Sequence, residues 1–201
     1  MEKLWTAPDG KPRCAWCGAA PDDAEYLRYH DEEWGFPVAD DRRLFEKLCL
    51  EGFQAGLSWR TILNKRPAFR AAFREFDFRQ VARFGERDVE RLLQDAGIVR
   101  HRGKIEAVIG NARACVELIE AEGSLARFVW RFAPAERTPG ATETAASKAL
   151  SKELKKRGWR FVGPTTMHAF MQSVGLVNDH ADACETHAAA VRARKAFKVP
   201  N

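Results

Sequence analysis

The sequence predicts an all-α protein, on two observations. Apolar residues recur at spacings of three and four along nearly the whole chain, and nothing alternates convincingly with period two. The periodic stretches are punctuated by residues that start and stop helices, with Asp, Ser or Pro near their beginnings and Gly near their ends. A chain of 201 residues suits one domain and is long enough to bury a proper core.

In chain order, Tyr26, Tyr29 and His30 share one face of a short helix that ends before Gly35 and Pro37. A second helix, capped by Asp40, carries Leu44, Leu48, Glu51 and Ala55 on one stripe and stops around Gly56. Ser58 can cap the next segment, and Pro67 breaks it. Phe69, Phe73 and Phe76 continue at helical spacing; Asp77 then caps a further turn of helix that Gly85 ends. Val89, Leu92, Leu93 and Ala96 form another stripe, closed by Gly97. The longest helix is expected from about Arg102 to Glu122, with Ile105, Val108, Ile109, Ala112, Val116 and Ile119 facing inward. Residues 133–144, APAERTPGATET, read as a long connection. Beyond them SKALSKELKKRG, WRFVGP and TTMHAFMQSVG read as a helix, a tight hairpin and a second helix, with Pro164 at or just before the new helix start.

Three features carry chemistry. The first is Glu51, a carboxylate in an otherwise apolar stripe, where ionisation is costly unless something pairs with it. Tyrosines, tryptophans and His30 crowd the same segment, so an acid among rings suggests a site for a flat, cationic ligand. The structural alternatives are an interior salt bridge to an arginine and ordinary core packing of the rings. The second is the hairpin. The amides near Thr165 and Thr166 would be unpaired at a helix start, with Lys155, Lys156, Arg157 and Arg160 close by. That combination suits a DNA phosphate, against the alternative of a plain αα-hairpin. The net charge of +5 is uneven, with basic clusters at residues 100–104, 152–160 and 192–198.

The third feature is a dispersed set of metal donors. Cys14 and His30 lie toward one end, and His180 and Cys184, at i and i+4, would share a helical face near the other. Two thiols and two imidazoles make a closed tetrahedral zinc site, which is structural because no position remains for water. Cys17 and His187 are rival ligands, and free thiols with surface histidines are the alternative. Five cysteines without a secretory signal argue against a disulfide framework. The N-terminal MEKLWTAPDGKPRC lacks a signal peptide's apolar core and no apolar run nears bilayer length, so a cytoplasmic protein with no membrane partner is expected.

The combination RCAW, YLRYHDEEWG, LEGFQAGLSW, DAGIVRHRGKIEAVIGNA, KKRGWRFVGPTT and FMQSVGLVNDH closely resembles the bacterial DNA-3-methyladenine glycosylase I family. The resemblance extends from Arg13 to Cys184, in family order. It implies a helix–hairpin–helix DNA glycosylase fold in which zinc, held by Cys14, His30, His180 and Cys184, joins the N- and C-terminal regions. Cys17 is the substitute ligand. It implies a family-like core over residues 13–187, a hairpin unit over about 147–175 and a flexible tail over 188–201, in a monomer that binds double-stranded alkylated DNA.

By the same resemblance, Arg160, Gly163, Thr165 and Thr166 belong to the phosphate-gripping hairpin. Glu51 contacts an extruded base and is the catalytic residue. Trp59 stacks on that base, Tyr26 and Tyr29 line the pocket, and Trp16 and Trp34 lie nearby. The implied reaction is hydrolytic excision of 3-methyladenine, whose positive charge both favours this pocket and makes it a good leaving group. Asp179 lies in the region where the wider superfamily uses an aspartate to stabilise the sugar cation, but the methyladenine branch places no equivalent carboxylate in that role, so Glu51, Asp179 and the DNA's own phosphates all stay open for it. No lysine lies in a motif for Schiff-base chemistry, so no strand cleavage is expected. The competing readings are a zinc-stabilised nucleic-acid-binding module that recognises alkylated bases without excising them, and a zinc hydrolase with an open metal position.

Overall fold

The structure, a computed structural model described over residues 4–200, begins with a small antiparallel hairpin of β1 (Leu4–Thr6) and β2 (Pro12–Cys14). A 3-10 turn over Ala15–Ala19 leads into α1 (Ala24–Glu32), α2 (Asp41–Gln54), α3 (Trp59–Asn64) and α4 (Arg66–Ala72). There follow α5 (Phe78–Val81), α6 (Glu86–Gln94), α7 (Arg102–Glu122) and α8 (Leu125–Trp130). The connection over residues 133–144 precedes α9 (Ala145–Lys156), α10 (Pro164–Ser173) and α11 (His187–Ala196). No described helix is long and apolar enough to cross a membrane.

Most starts are explained by side-chain caps on backbone amides that a helix leaves unpaired. Asp23, Asp40, Ser58, Asp77 and Ser124 each accept from an amide of the first turn that follows. The imidazole of His101 does the same for Lys104 N–H at the start of α7. Thr144 and Ser147 cap α9 reciprocally, and Gly163 with Pro164 opens α10.

The core is organised around α2, which packs against α3, α7, α8 and α10. Its residues from Leu44 to Phe53 are buried without interruption, so α2 is an interior helix where one apolar stripe was expected. Three ionisable groups, Glu46, Lys47 and Glu51, go inside with it. Its C-terminal carbonyls are held by Lys104, whose ammonium donates to Phe53 O at 2.8 Å and Ala55 O at 2.6 Å. Lys104 therefore turns inward and serves as a cap. Arg102 is likewise engaged by Glu86 and Glu90, so the 100–104 cluster is largely committed to intramolecular contacts.

Four further expectations are corrected. The all-α assignment misses the β1–β2 hairpin, whose three-residue strands are too short to establish a period of two. Helix α4 stops at Ala72, and Arg74, Glu75 and Phe76 take left-handed φ values of 52°, 55° and 54°. Left-handed backbone costs about 1–2 kcal/mol per residue, but burying Phe73 and Phe76 returns roughly 1.5–3 kcal/mol each. Arg42 adds hydrogen bonds to Glu75 O and Arg74 O. The segment expected as a flexible tail is helical over His187–Ala196, and Phe197 packs on Trp130 with ring centroids 4.5 Å apart. On α7, Cys115 and Leu118 are fully inside, while Val116 and Ile119 are half-buried.

The chain after α1 crosses the C-terminal end of α10, where Gly35 N–H donates to Gln172 O at 3.0 Å and Val38 N–H to Val174 O at 3.2 Å. The crossing is possible because Gly175 has φ +72° and no Cβ; one built there would lie 2.4 Å from Phe36 C and 2.5 Å from Pro37 N. Gly175→Ala must therefore displace backbone as well as strain its own. It is expected to lower stability by well over about 1 kcal/mol, read as a fall in the thermal midpoint; an unchanged midpoint would show that the crossing yields freely.

Candidate active site and metal centre

A cavity of about 400 Å³ opens beside the buried face of α2. Glu51 and Gln54 reach it from α2, Tyr26 and Tyr29 from α1, and Trp59 from the first position of α3. Trp16 comes from the turn after β2, and Trp34 from the crossing segment. The structure thus brings Glu51 and all five expected aromatic residues to one cavity. It adds Ala169 and Gln172 of α10, Asp179 beyond it, and Pro139 and Gly140 of the long connection.

The rings form a continuous wall. Trp16 meets Tyr26 edge-on at 5.1 Å and Trp34 at 5.4 Å, and Tyr29 lies 5.2 Å from Trp59. Glu51 is 5% exposed, and burial pushes its carboxyl up to about 7, against the opposing charge of Lys47 and the Ser173 hydroxyl. No arginine salt bridge to Glu51 is present among the described residues; the charged neighbour is Lys47, one helical turn away. Burial also pushes the Tyr29 phenol well above its usual range. Asp179 accepts from Gln172 Nε2 at 2.7 Å through one oxygen, while its other buried oxygen makes no hydrogen bond within the protein.

A second hollow of about 230 Å³ shares Glu51, Gln54 and Ala169 with the first and is bordered by Gly56, Leu57, Thr165 and Thr166. The two threonines therefore stand beside the cavity, in the first turn of α10. The hairpin before them is clamped by Asn111, whose amide donates to Arg160 O at 3.0 Å and accepts from Arg160 N–H at 2.8 Å. Arg160 and Lys155 have exposed side chains. Arg157 is tied to Glu122 and Glu153, and Lys156 to Glu153, so those two charges are partly spent inside the protein.

Cys14, His30, His180 and Cys184 come together in a buried cluster whose donor atoms all lie within 4.8 Å of one another. Cys184 Sγ is 3.5 Å from His30 Nε2 and 3.7 Å from His180 Nδ1, and Cys14 Sγ is also 3.7 Å from His180 Nδ1. Each imidazole is oriented by its other nitrogen. His30 Nδ1–H donates to Asp31 Oδ1 at 2.7 Å and His180 Nε2–H to Trp34 O at 2.8 Å, which leaves the remaining nitrogens facing the thiols. Asp31 is in turn held by Arg13 at 2.8 Å.

His180 and Cys184 do not share a helical face: they meet across a turn closed by Cys184 N–H to Ala181 O at 2.8 Å. Cys17 is fully buried but outside the cluster, with burial pushing its thiol up to about 12. His187 opens α11 and lies 3.6 Å from Asp182. The cluster also touches the ring wall, since His180 packs edge-on against Trp34 at 4.7 Å and His30 against Trp16 at 5.1 Å.

Sequence reasoning missed several contributors. Gln54 was findable, because it lies three residues beyond Glu51 and shares its face. Lys47, four residues before Glu51, was findable on the same rule. Pro139 and Gly140 carried no periodic signal.

The family model for methyladenine glycosylase matches residues 16–187 of this chain. The chain is 52% identical over 178 residues to DNA-3-methyladenine glycosylase 1 of Escherichia coli (strain K12), covering 84% of this chain and 94% of that protein. It is 45% identical over 181 residues to DNA-3-methyladenine glycosylase of Haemophilus influenzae (strain ATCC 51907 / DSM 11121 / KW20 / Rd), covering 86% of this chain and 96% of that one. A crystal structure of 3-methyladenine DNA glycosylase I superposes with a TM-score of 0.82 at 51% identity, over 87% of this chain and 99% of the other. A structure addressing 3-methyladenine recognition by the Staphylococcus aureus enzyme gives a TM-score of 0.80 at 35% identity, over 85% and 95%. With a family match across most of its length and relatives at this identity, the chain belongs to the methyladenine glycosylase family.

Proposed function

We propose that this protein is a DNA repair enzyme that binds alkylated duplex DNA, turns a 3-methyladenine nucleotide into the Glu51 cavity and hydrolyses its N-glycosidic bond. The observation that carries this reading is a buried carboxylate among electron-rich rings, in a cavity of about 400 Å³. Methylation at N3 gives adenine a positive charge, which ring faces attract by about 0.5–2 kcal/mol. An ionised Glu51 accepts from the exocyclic amine; a charge-assisted hydrogen bond of this kind contributes about 1.5–3 kcal/mol. Neutral adenine would leave the desolvated carboxylate worse paired.

The charge on the base also assists the bond cleavage. As the C1′–N bond breaks, its electron pair returns to the purine and neutralises it, so little acid catalysis is needed. Water then adds to the cation-like sugar carbon and loses a proton. Asp179, with one oxygen free of protein partners, is available on the cavity wall to stabilise that carbon or orient the water. The reading extends to a helix–hairpin–helix grip in which α9, the 157–163 hairpin and the first turn of α10 hold phosphate through Gly163, Thr165, Thr166 and the exposed Arg160. Base extrusion costs a few kcal/mol, which this grip helps to offset. Lys47 lies behind the rings and does not line the cavity, so excision without strand cleavage is the expected outcome.

The four-residue cluster fits zinc. Bonds of about 2.3 Å to sulfur and 2.0–2.1 Å to nitrogen at tetrahedral angles separate S from N by about 3.5–3.6 Å, close to the 3.5 and 3.7 Å found here. Four protein donors leave no position for water, which argues for a structural ion. When bound, such an ion ties β2 and α1 to the segment after α10; the reaction is assigned to the cavity residues alone.

Two measurements test these readings. Single-turnover release of 3-methyladenine from methylated duplex DNA should occur with the wild type, leaving abasic sites. Glu51→Gln should slow it by about ten- to a hundredfold while far-ultraviolet dichroism is unchanged. Because burial pushes the carboxyl up to about 7 and it must be ionised, the wild-type rate should climb as pH rises through that region, and the Gln variant should lose this limb. Tight binding of alkylated DNA with no free base released would instead make the protein a recognition module. For the metal, elemental analysis should find one zinc per chain; Cys184→Ala should lose it and lower the thermal midpoint. A full zinc complement in that variant would refute the assigned ligand set.

A further inference from the structure

Lys47 is the buried ionisable group that the reaction above leaves unused. It is 2% exposed and sits on α2 one turn before Glu51. Its ammonium lies 4.3 Å from the ring centroid of Tyr29 and 5.9 Å from that of Trp59, behind two rings of the cavity wall. Its Nζ makes no hydrogen bond, and its ion-pair partner, Glu33 Oε2, is 3.5 Å away. Glu33 is already held by Arg66 at 2.7 and 2.9 Å, by Arg28 at 3.1 Å and by Arg43 at 3.3 Å. Four cations thus crowd one carboxylate, and Lys47 is the loosest of them. A desolvated ammonium needs more than this, and the next acid along the same buried helix, one turn on, is Glu51.

We infer that Lys47 is a positioning residue for the cavity acid: from one turn away on the same buried helix, its ammonium keeps Glu51 ionised in the empty site, ready for a cationic base. This rests on the reading of Glu51 as the base-contacting acid. The charged and titratable groups facing Lys47 are Glu51 and Arg43 from α2, Tyr29 from α1, Glu33 just beyond it and Arg66 from α4. Seen from Glu51, Lys47 is the one charge among the described residues that favours the ionised carboxylate against burial. Burial pushes Lys47 itself down to about 8, opposed by Glu33 and Glu51. The two groups therefore hold each other charged, and such a coupling is reciprocal.

The test follows both partners in the full-length protein by carbon NMR of the Glu side-chain carboxyls and the Lys Cε, assigned by the variants themselves. Lys47→Met should move the titration of Glu51 upward by about one pH unit, and Glu51→Gln should move that of Lys47 downward by a similar amount. The rising limb of base release should shift with Glu51, making Lys47→Met about tenfold slower below pH 7, and Lys47→Arg should restore the limb's position. A Glu51 titration unmoved by Lys47→Met, or a Lys47 titration unmoved by Glu51→Gln, overturns the inference; the second arm stands even if the Met variant fails to fold. Absence of base release by the wild type would overturn the excision reading instead, and the two titrations would still decide the role of Lys47.

Discussion

A helix whose stretch from Leu44 to Phe53 is buried on every side, yet carries the charged groups Glu46, Lys47 and Glu51, is the constraint around which this protein is arranged. Each charge on α2 demands a partner, because an unpaired ion in a low-dielectric interior costs several kcal/mol. Glu46 finds Arg70 at 2.8 Å and Arg43 at 3.2 Å. Lys47 finds Glu33 loosely and the faces of Tyr29 and Trp59. Glu51 finds no arginine, only the more distant Lys47 and a serine hydroxyl. Along this helix Glu46 is thus well paired, whereas Lys47, whose Nζ makes no hydrogen bond, and Glu51, beside the cavity, are the least well matched. Local under-satisfaction of this kind is affordable only in a stable frame, and it is what a cationic ligand would relieve.

The frame is held at the same place. His180 donates to the carbonyl of Trp34 and packs against its ring, and His30 follows Tyr29 directly in α1. The ring wall and the Cys–His cluster are therefore two sides of one piece of backbone. Gly35 tightens the join, since a Cβ there would lie 2.9 Å from the His180 ring. Ordering the cluster orders the side chains that line the cavity, although none of its donors enters it. Arg13, Asp9 and Asp31 extend the same chain of contacts into the β1–β2 hairpin.

What was legible in the sequence was whatever depends on near neighbours. The caps at Asp40, Ser58 and Asp77 and the limits of α7 follow from local chemistry and were readable from it. The same local rules misled at Phe69, Phe73 and Phe76, because a left-handed turn can preserve a spacing of three and four that looks helical. Lys104 read only as part of a basic cluster because its acceptors on α2 are about fifty residues away in sequence. His180 and Cys184 suggested a helix by spacing alone, yet a turn brings the two together as well. The cavity's acid and rings were legible because a charge in an apolar stripe violates a rule; Pro139 and Gly140 violate none, and only the folded connection brings them to the wall.

Charge is also the simplest account of selectivity for the proposed reaction. Turning out any base costs a few kcal/mol, and a normal adenine offers this cavity stacking and hydrogen bonds without a charge. The cation adds an attraction to ring faces of about 0.5–2 kcal/mol and strengthens its contact with an ionised carboxylate. These increments are of the same size as the extrusion cost. On this reading a neutral base would be extruded at a net loss and returned to the stack, whereas a methylated one would be retained long enough to react. The discrimination needs no contact with the methyl group. It depends instead on Glu51 being ionised when the base arrives, in a site whose burial pushes toward the neutral acid.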